Sequence, residues 1–248
     1  MAAAKTGTVI VPTNPVSTAD EMEYILVHSE ARLAITERQY AEEIRAVAGR
    51  CPTDSVLEAR PLAPLLDDLP STPPDGAVAP FDEISIQYTS GTTSKPKGVL
   101  LTHANYLYGG EVMSKAMRVL PTDRHLMVLP LFHAGAQLHA FLPMLLASGS
   151  VGLMEHFSAT RFVEQAVRHE VTLAALFAAL IRMLLAKPRS EADGWTRLRA
   201  ISYAQNITPQ QFEQWHARLT CATAGSTAAT TRGWTTRATS SSSTGRRI

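Results

Sequence analysis

Short apolar runs with strand character recur along this chain, and most neighbouring runs are separated by a segment with helical periodicity. A helix lying between two strands carries the chain back across a sheet, so the second strand runs parallel to the first. The alternation therefore predicts an α/β fold of layered, mostly parallel sheets flanked by helices. The expected strands are Thr8–Val11, Leu33–Thr36, Ile84–Tyr88, Val99–Leu101, His125–Leu129, Val151–Met154, Leu173–Phe177 and Ala200–Tyr203. Thr18-Ala19-Asp20-Glu21 has the form of a capping box and opens a helix to about His28, with Met22, Ile25 and Leu26 on one face. Further helices are expected at Gln39–Ala48 and Ala104–Met117. The last opens at Thr208-Pro209-Gln210-Gln211, which joins a cap, a proline at the first helical position and a glutamine three residues on.

Two stretches interrupt this pattern. Residues 52–80 hold seven of the fifteen prolines, which remove amide donors and fix φ, so this span is expected as a surface connection rather than a packed element. Residues 222–248 contain eight Thr, five Ser, five Ala, four Arg and three Gly, with one Trp and one Ile and no acidic residue. Such a segment has too little apolar surface to offset its conformational entropy and is expected to be disordered. The folded body is accordingly placed at 1–221 and the tail at 222–248.

Composition excludes several classes. Lys and Arg total 23 against 22 Asp and Glu, so no overall field draws the chain to nucleic acid or an anionic membrane. The longest apolar stretch, Val171 to Ala186, carries Arg182 and suits a buried strand and helix better than a membrane span. The two cysteines, Cys51 and Cys221, fit neither a zinc spacing nor a disulfide framework, and no targeting segment opens the chain. A cytoplasmic location is the expectation.

The chemistry concentrates in Tyr88-Thr89-Ser90-Gly91-Thr92-Thr93-Ser94-Lys95-Pro96-Lys97-Gly98-Val99, between two strand patterns. Five hydroxyl side chains surround Gly91 and two lysines follow. Free amides, hydroxyl donors, close backbone approach and positive charge are what a polyphosphate requires. The string is not a Walker loop, since no Gly-Lys-Ser/Thr ends it, and no Gly-x-Gly-x-x-Gly is present. The same residues also suit a polar strand-to-strand turn with no ligand.

The string resembles the phosphate-binding signature of the AMP-binding, adenylate-forming superfamily, which includes acyl-CoA synthetases, luciferases and peptide-synthetase adenylation domains. Thr89-Ser90-Gly91-Thr92-Thr93 and Pro96-Lys97-Gly98 match directly, and Ser94 stands where glycine is more usual. Val11-Pro12-Thr13-Asn14-Pro15, Leu101-Thr102-His103-Ala104-Asn105, Leu129-Pro130-Leu131-Phe132-His133 and Tyr203-Ala204-Gln205-Asn206-Ile207-Thr208 resemble other family segments in order. The spacing is similar to crotonobetaine/carnitine-CoA ligase-like members. The resemblance implies part of the large N-terminal domain of such enzymes, incomplete at both ends.

It also implies an ATP-dependent acid:CoA ligase that forms an acyl-adenylate and passes the acyl group to coenzyme A. ATP with Mg2+, coenzyme A and a small carboxylic acid would be the ligands. Thr89, Ser90, Gly91, Thr92, Thr93 and Ser94 would hold phosphates with Lys97 as a nearby cation, and His133 would border the acid. A lone histidine in so apolar a segment equally suits a buried, hydrogen-bonded core position, and no metal site or catalytic residue is assigned.

The chain departs from the family where a Tyr-Gly-x-Thr-Glu motif is expected. Gly225-Ser226-Thr227-Ala228 stands there, Ala228 fills the glutamate's place, and no Asp or Glu follows Glu213. A Thr-Gly-Asp string and the domain carrying a catalytic lysine are also missing, so the expectation is a catalytically incomplete chain with a tail from a shifted reading frame. A non-catalytic remnant that binds phosphate weakly is the alternative.

Overall fold

The computed structural model describes residues 2–59, 72, 74, 76–89, 95–204 and 207–219. The Ser/Thr-rich tail and Ser90–Ser94 lie outside the described residues. Two compact units divide at Asn105 and Tyr106.

The first unit opens with a short helix, α1 (Ala2–Thr6), ended by Gly7 at a φ of +67°. The expected strand at Thr8–Val11 reduces to one bridge. Ile10 donates its amide to the Ile84 carbonyl and accepts from the Ile86 amide, both at 2.9 Å, and Pro12 follows too soon for a longer ladder. α2 (Ala19–His28) forms as its capping box predicts. The Glu21 amide donates to Thr18 Oγ1 at 3.3 Å and the Thr18 amide donates to the Glu21 carboxylate at 3.0 Å. Met22 and Leu26 of α2 pack with Val47 of α3 (Arg38–Ala48) in a small core.

β1 (Leu33–Thr36) pairs in parallel with β2 (Ser55–Glu58), so the proline-rich span 52–80 is not wholly a connection. Its first segment, Ser55–Glu58, contains no proline and is free to donate to a ladder. β3 (Glu83–Thr89) and β4 (Lys97–Thr102) pair antiparallel, with Tyr88 opposite Gly98 and Thr89 opposite Lys97. Gly98 is required there: a Cβ would lie 2.8 Å from Ile86 Cγ2.

The second unit holds a four-stranded parallel sheet in the order β6 (Ser150–Leu153), β5 (Arg124–Met127), β7 (Leu173–Phe177), β8 (Ala200–Ala204). Side chains alternate across β5. Leu126 and Val128 face a core built by α7 (Phe162–Arg168) and α8 (Ala178–Leu185), centred on Phe162, Ala166, Ile181 and Leu184. Met127 faces the opposite side, against Ala136 and Ala140. That side carries α5 (Ala134–Ala136), a π-helical stretch Gln137–Phe141 and α6 (Leu142–Leu146) in unbroken succession. Tyr106 and Gly110 of α4 (His103–Ala116) meet the same succession. α9 (Pro209–Leu219) closes the described chain. The Gln211 amide donates to Thr208 Oγ1 at 3.1 Å, as the cap predicts.

The expected α/β class of mostly parallel sheets with flanking helices is therefore the fold. No helix among the described residues is long and apolar enough to cross a membrane, and Val171 to Ala186 is a buried strand followed by a packed helix.

Candidate functional site

The β3–β4 hairpin explains how the sequence singled out Thr89 and Lys97. β3 is buried through Ile84, Ser85, Ile86 and Gln87, then becomes exposed at Thr89. β4 begins at exposed Lys97 and turns inward at Gly98. Thr89 and Lys97 thus face each other at the end of the ladder, and Thr89 Oγ1 donates to the Lys97 carbonyl at 3.4 Å. The remaining members of the predicted set, Ser90, Gly91, Thr92, Thr93 and Ser94, lie outside the described residues.

Both sides of this neck are fastened to α2. The Tyr88 hydroxyl and His28 Nδ1 share a hydrogen bond of 2.8 Å, and the Tyr24 hydroxyl donates to the Pro96 carbonyl at 3.0 Å. Burial, with Tyr24 adding to it, pushes the Tyr88 phenol up to about 12, so Tyr88 stays a neutral hydroxyl at any physiological pH. Nothing in the local sequence pointed to Tyr24 or His28. Their spacing of four residues, with both on one helix face, is the signal that could have found them.

His133 belongs to the second unit and follows the carboxyl end of β5. In this sheet β5 connects to β6 on one side through the α5–α6 succession, whereas β7 connects onward to β8 on the other. The two connections cover opposite faces of the sheet. The carboxyl ends of β5 and β7 therefore flank a topological switch point, the place where open α/β sheets leave a crevice for ligands. The segment Pro130–His133 leaves β5 at that place.

The alternative of a buried core histidine does not hold, because His133 is exposed. Its backbone caps α5 and its ring lies 4.2 Å from that of Phe132. The segment is held from behind by Gln137, which is buried at the start of the π-helical stretch. Gln137 Nε2 donates to the Leu131 carbonyl at 2.6 Å, and its Oε1 accepts from the Tyr106 hydroxyl. π-Helical turns within α-helices occur frequently at functional sites because they re-aim side chains. Gln137 lies four residues beyond His133, a helical spacing that could have marked it.

Among the described residues no three His, Cys, Asp or Glu side chains come together as a metal site, and the acidic residues of the sequence end at Glu213.

Comparison with known proteins agrees with this geometry. The AMP-binding enzyme family model matches residues 1–247. Crotonobetaine/carnitine–CoA ligase of Shigella flexneri serotype 5b (strain 8401) is 31% identical over 224 residues, which cover 84% of this chain and 43% of the relative. The chain thus spans less than half the length of that curated relative. Among solved structures, the inhibitor-bound N-terminal domain of FACL13 from Mycobacterium tuberculosis aligns with a TM-score of 0.78 and 26% identity, over 87% of this chain and 55% of that one. ATP-bound MatB from Rhodopseudomonas palustris shares the fold, with a TM-score of 0.77 at 22% identity over 86% of this chain and 43% of that one. Thr89 and Lys97, near the two ends of the hydroxyl, glycine and lysine string, face each other at the end of the β3–β4 ladder, and the family match extends over nearly the whole chain. On both counts, this chain belongs to the AMP-binding enzyme family.

Proposed function

We propose that this chain carries the nucleotide-phosphate and acid-binding part of a cytoplasmic, ATP-dependent acid:CoA ligase. The observation that carries this reading is that Thr89-Ser90-Gly91-Thr92-Thr93 and Pro96-Lys97-Gly98 match the family's phosphate signature, with Thr89 and Lys97 facing each other at the end of an antiparallel ladder. In the reaction, a carboxylate oxygen attacks the α-phosphorus of ATP, the bond to the β-phosphate bridging oxygen breaks, and pyrophosphate leaves. The coenzyme A sulfur then attacks the acyl carbon, the bond from that carbon to the phosphate oxygen breaks, and AMP leaves as the thiol proton is lost. Catalysis of the first step is chiefly positioning and charge neutralisation.

Thr89, Ser90, Gly91, Thr92, Thr93 and Ser94 would supply amides and hydroxyls to the β- and γ-phosphates, with Lys97 as the cation beside them. His133 would border the carboxylic acid at the switch point of the second unit. Magnesium would add charge neutralisation on the triphosphate, and no residue here is assigned to it. The ligands are thus small molecules, and nothing in the charge pattern favours nucleic acid.

A second reading, a non-catalytic remnant with weak phosphate affinity, is favoured by Ala228 in the place of the family's glutamate. Calorimetric titration of Mg-ATP into the full chain tests the shared core of both. Thr92→Ala with Lys97→Ala should abolish binding, since charge-assisted hydrogen bonds contribute roughly 1.5–3 kcal/mol each. Unchanged affinity in the double variant would reduce the loop to a turn.

A further inference from the structure

Four side chains of the first unit form a cluster whose polar contacts exceed what packing requires. Tyr24 and His28 project from one face of α2, with ring centroids 5.2 Å apart. Tyr88 of β3 meets both rings edge-on, at 6.4 Å from Tyr24 and 5.8 Å from His28. On the other side of the hairpin neck, the Lys95 ammonium lies 5.0 Å from the centre of the Tyr24 ring. The hydrogen bonds from Tyr24 to the Pro96 carbonyl and between His28 and Tyr88 complete the set.

One helix face therefore grips both sides of the neck, Tyr88 before Thr89 and Lys95-Pro96 before Lys97. Packing alone would be served by phenylalanine; the Tyr24 hydroxyl is spent on a backbone carbonyl 72 residues away. Pro96 adds stiffness at the same point, since its ring fixes φ. Lys95 is exposed, yet its ammonium is placed over an aromatic face. Lys97 makes no such contact and opens β4 at the mouth of the neck. The two lysines of Lys95-Pro96-Lys97 are thus differently placed.

We propose that Tyr24, with Lys95 laid on its ring, is a positioning residue that presets the hairpin neck, Tyr88-Thr89 on one side and Lys95-Pro96 on the other, before nucleotide phosphates bind. The inference rests on the reading of this loop as a nucleotide-phosphate site. Holding the neck in place before binding reduces the ordering that the ligand must impose, which strengthens affinity without any contact to the ligand.

The test is Mg-ATP titration into the full chain by calorimetry at several salt concentrations, with thermal unfolding of each variant. Tyr24→Phe removes only the hydroxyl, Lys95→Met removes the cation, Lys95→Arg keeps a cation for the ring, and Lys97→Ala is the benchmark for direct charge. Tyr24→Phe and Lys95→Met should each weaken affinity about three- to tenfold, the range expected for one lost hydrogen bond or cation–π contact. Lys95→Arg should restore it, and all four variants should unfold at the wild-type temperature. The salt dependence of binding should fall only in Lys97→Ala, because a positioning residue adds no screened charge at the phosphates.

Wild-type affinity in Tyr24→Phe would overturn the proposal, as would a reduced salt dependence in Lys95→Met equal to that of Lys97→Ala. Failure of the wild-type chain to bind Mg-ATP would instead overturn the functional reading, and this proposal with it.

Discussion

Arg199 clasps Asp123 across 76 residues of chain. Its Nε donates to Asp123 Oδ1 at 2.9 Å and its Nη2 donates to Oδ2, while the Asp123 side chain is only 3% exposed. Thr172 adds a third donor to the same carboxylate at 2.7 Å. Asp123, Thr172 and Arg199 each stand immediately before a strand, respectively β5, β7 and β8. The polar clasp therefore closes the amino-terminal edge of the sheet, opposite the carboxyl ends where the switch point lies. One edge holds the sheet together and the other carries the switch point beside His133.

Asp123→Ala should lower the stability of the chain by about 3 kcal/mol, the low end of what removing one partner of a buried ion pair costs, because Arg199 is partly exposed. Burial by itself raises the Asp123 carboxyl, but the hydrogen bonds from Arg199, Thr172 and the Leu120 amide outweigh it and hold the pKa below its ordinary value. The contribution is therefore complete above about pH 4 and is lost as pH falls through the lowered pKa. Denaturant midpoints of the two proteins should differ at pH 7 and converge in acid.

His125 governs a separate window. It is 1% exposed in the middle of the sheet, and among the described residues neither ring nitrogen meets a partner within full hydrogen-bond geometry. Burial lowers its pKa from 6.5 to about 4, so the folded chain resists a proton that the unfolded chain accepts. Stability should fall as pH drops from 6.5 toward 4, by about 3 kcal/mol over the window. His125→Leu should flatten that slope in chemical denaturation followed against pH. An unchanged slope would show that the ring is not neutral and buried as described.

Gly110 and Gly109 are adjacent in α4 but not equivalent. A Cβ on Gly110 would lie 2.9 Å from both Leu142 Cβ and Leu146 Cδ1, whereas one on Gly109 would meet the Leu138 Cδ2 methyl at 3.3 Å. Gly110→Ala should destabilise by about 1–3 kcal/mol through overpacking against α6. Gly109→Ala should be near neutral, because the helix preference of alanine offsets a small adjustment of Leu138. Thermal unfolding of both variants distinguishes them.

Local signals in the sequence survived folding almost unchanged. Both caps, at Thr18 and at Thr208, form with the reciprocal hydrogen bonds that their residue types require. Their partners are three residues apart, so nothing distant can interfere. What the sequence left hidden is non-local. β2 lay within a proline-rich span and becomes a strand only because β1 offers it a ladder. The order of β5 through β8, and hence the switch point beside His133, depends on which side of β5 each crossover takes, which residue pattern does not encode. The exposure of His133 follows from the same geometry. The clasp of Tyr24 on Pro96 needed the fold as well, since its two partners are read from separate segments.

Losing one electrostatic or positioning element at a reacting centre commonly costs 10²–10³-fold in rate, and this chain spans less than half the length of the curated ligase it matches. The most direct measurement is pyrophosphate release from Mg-ATP by the purified full chain, with short-chain, medium-chain and betaine-type acids supplied in turn. The account predicts Mg-ATP binding that depends on Lys97, with acid-dependent turnover at least about 10²-fold below that of an intact acid:CoA ligase. Acid-dependent turnover at a rate comparable to the intact enzyme, removed by Lys97→Ala, would contradict it.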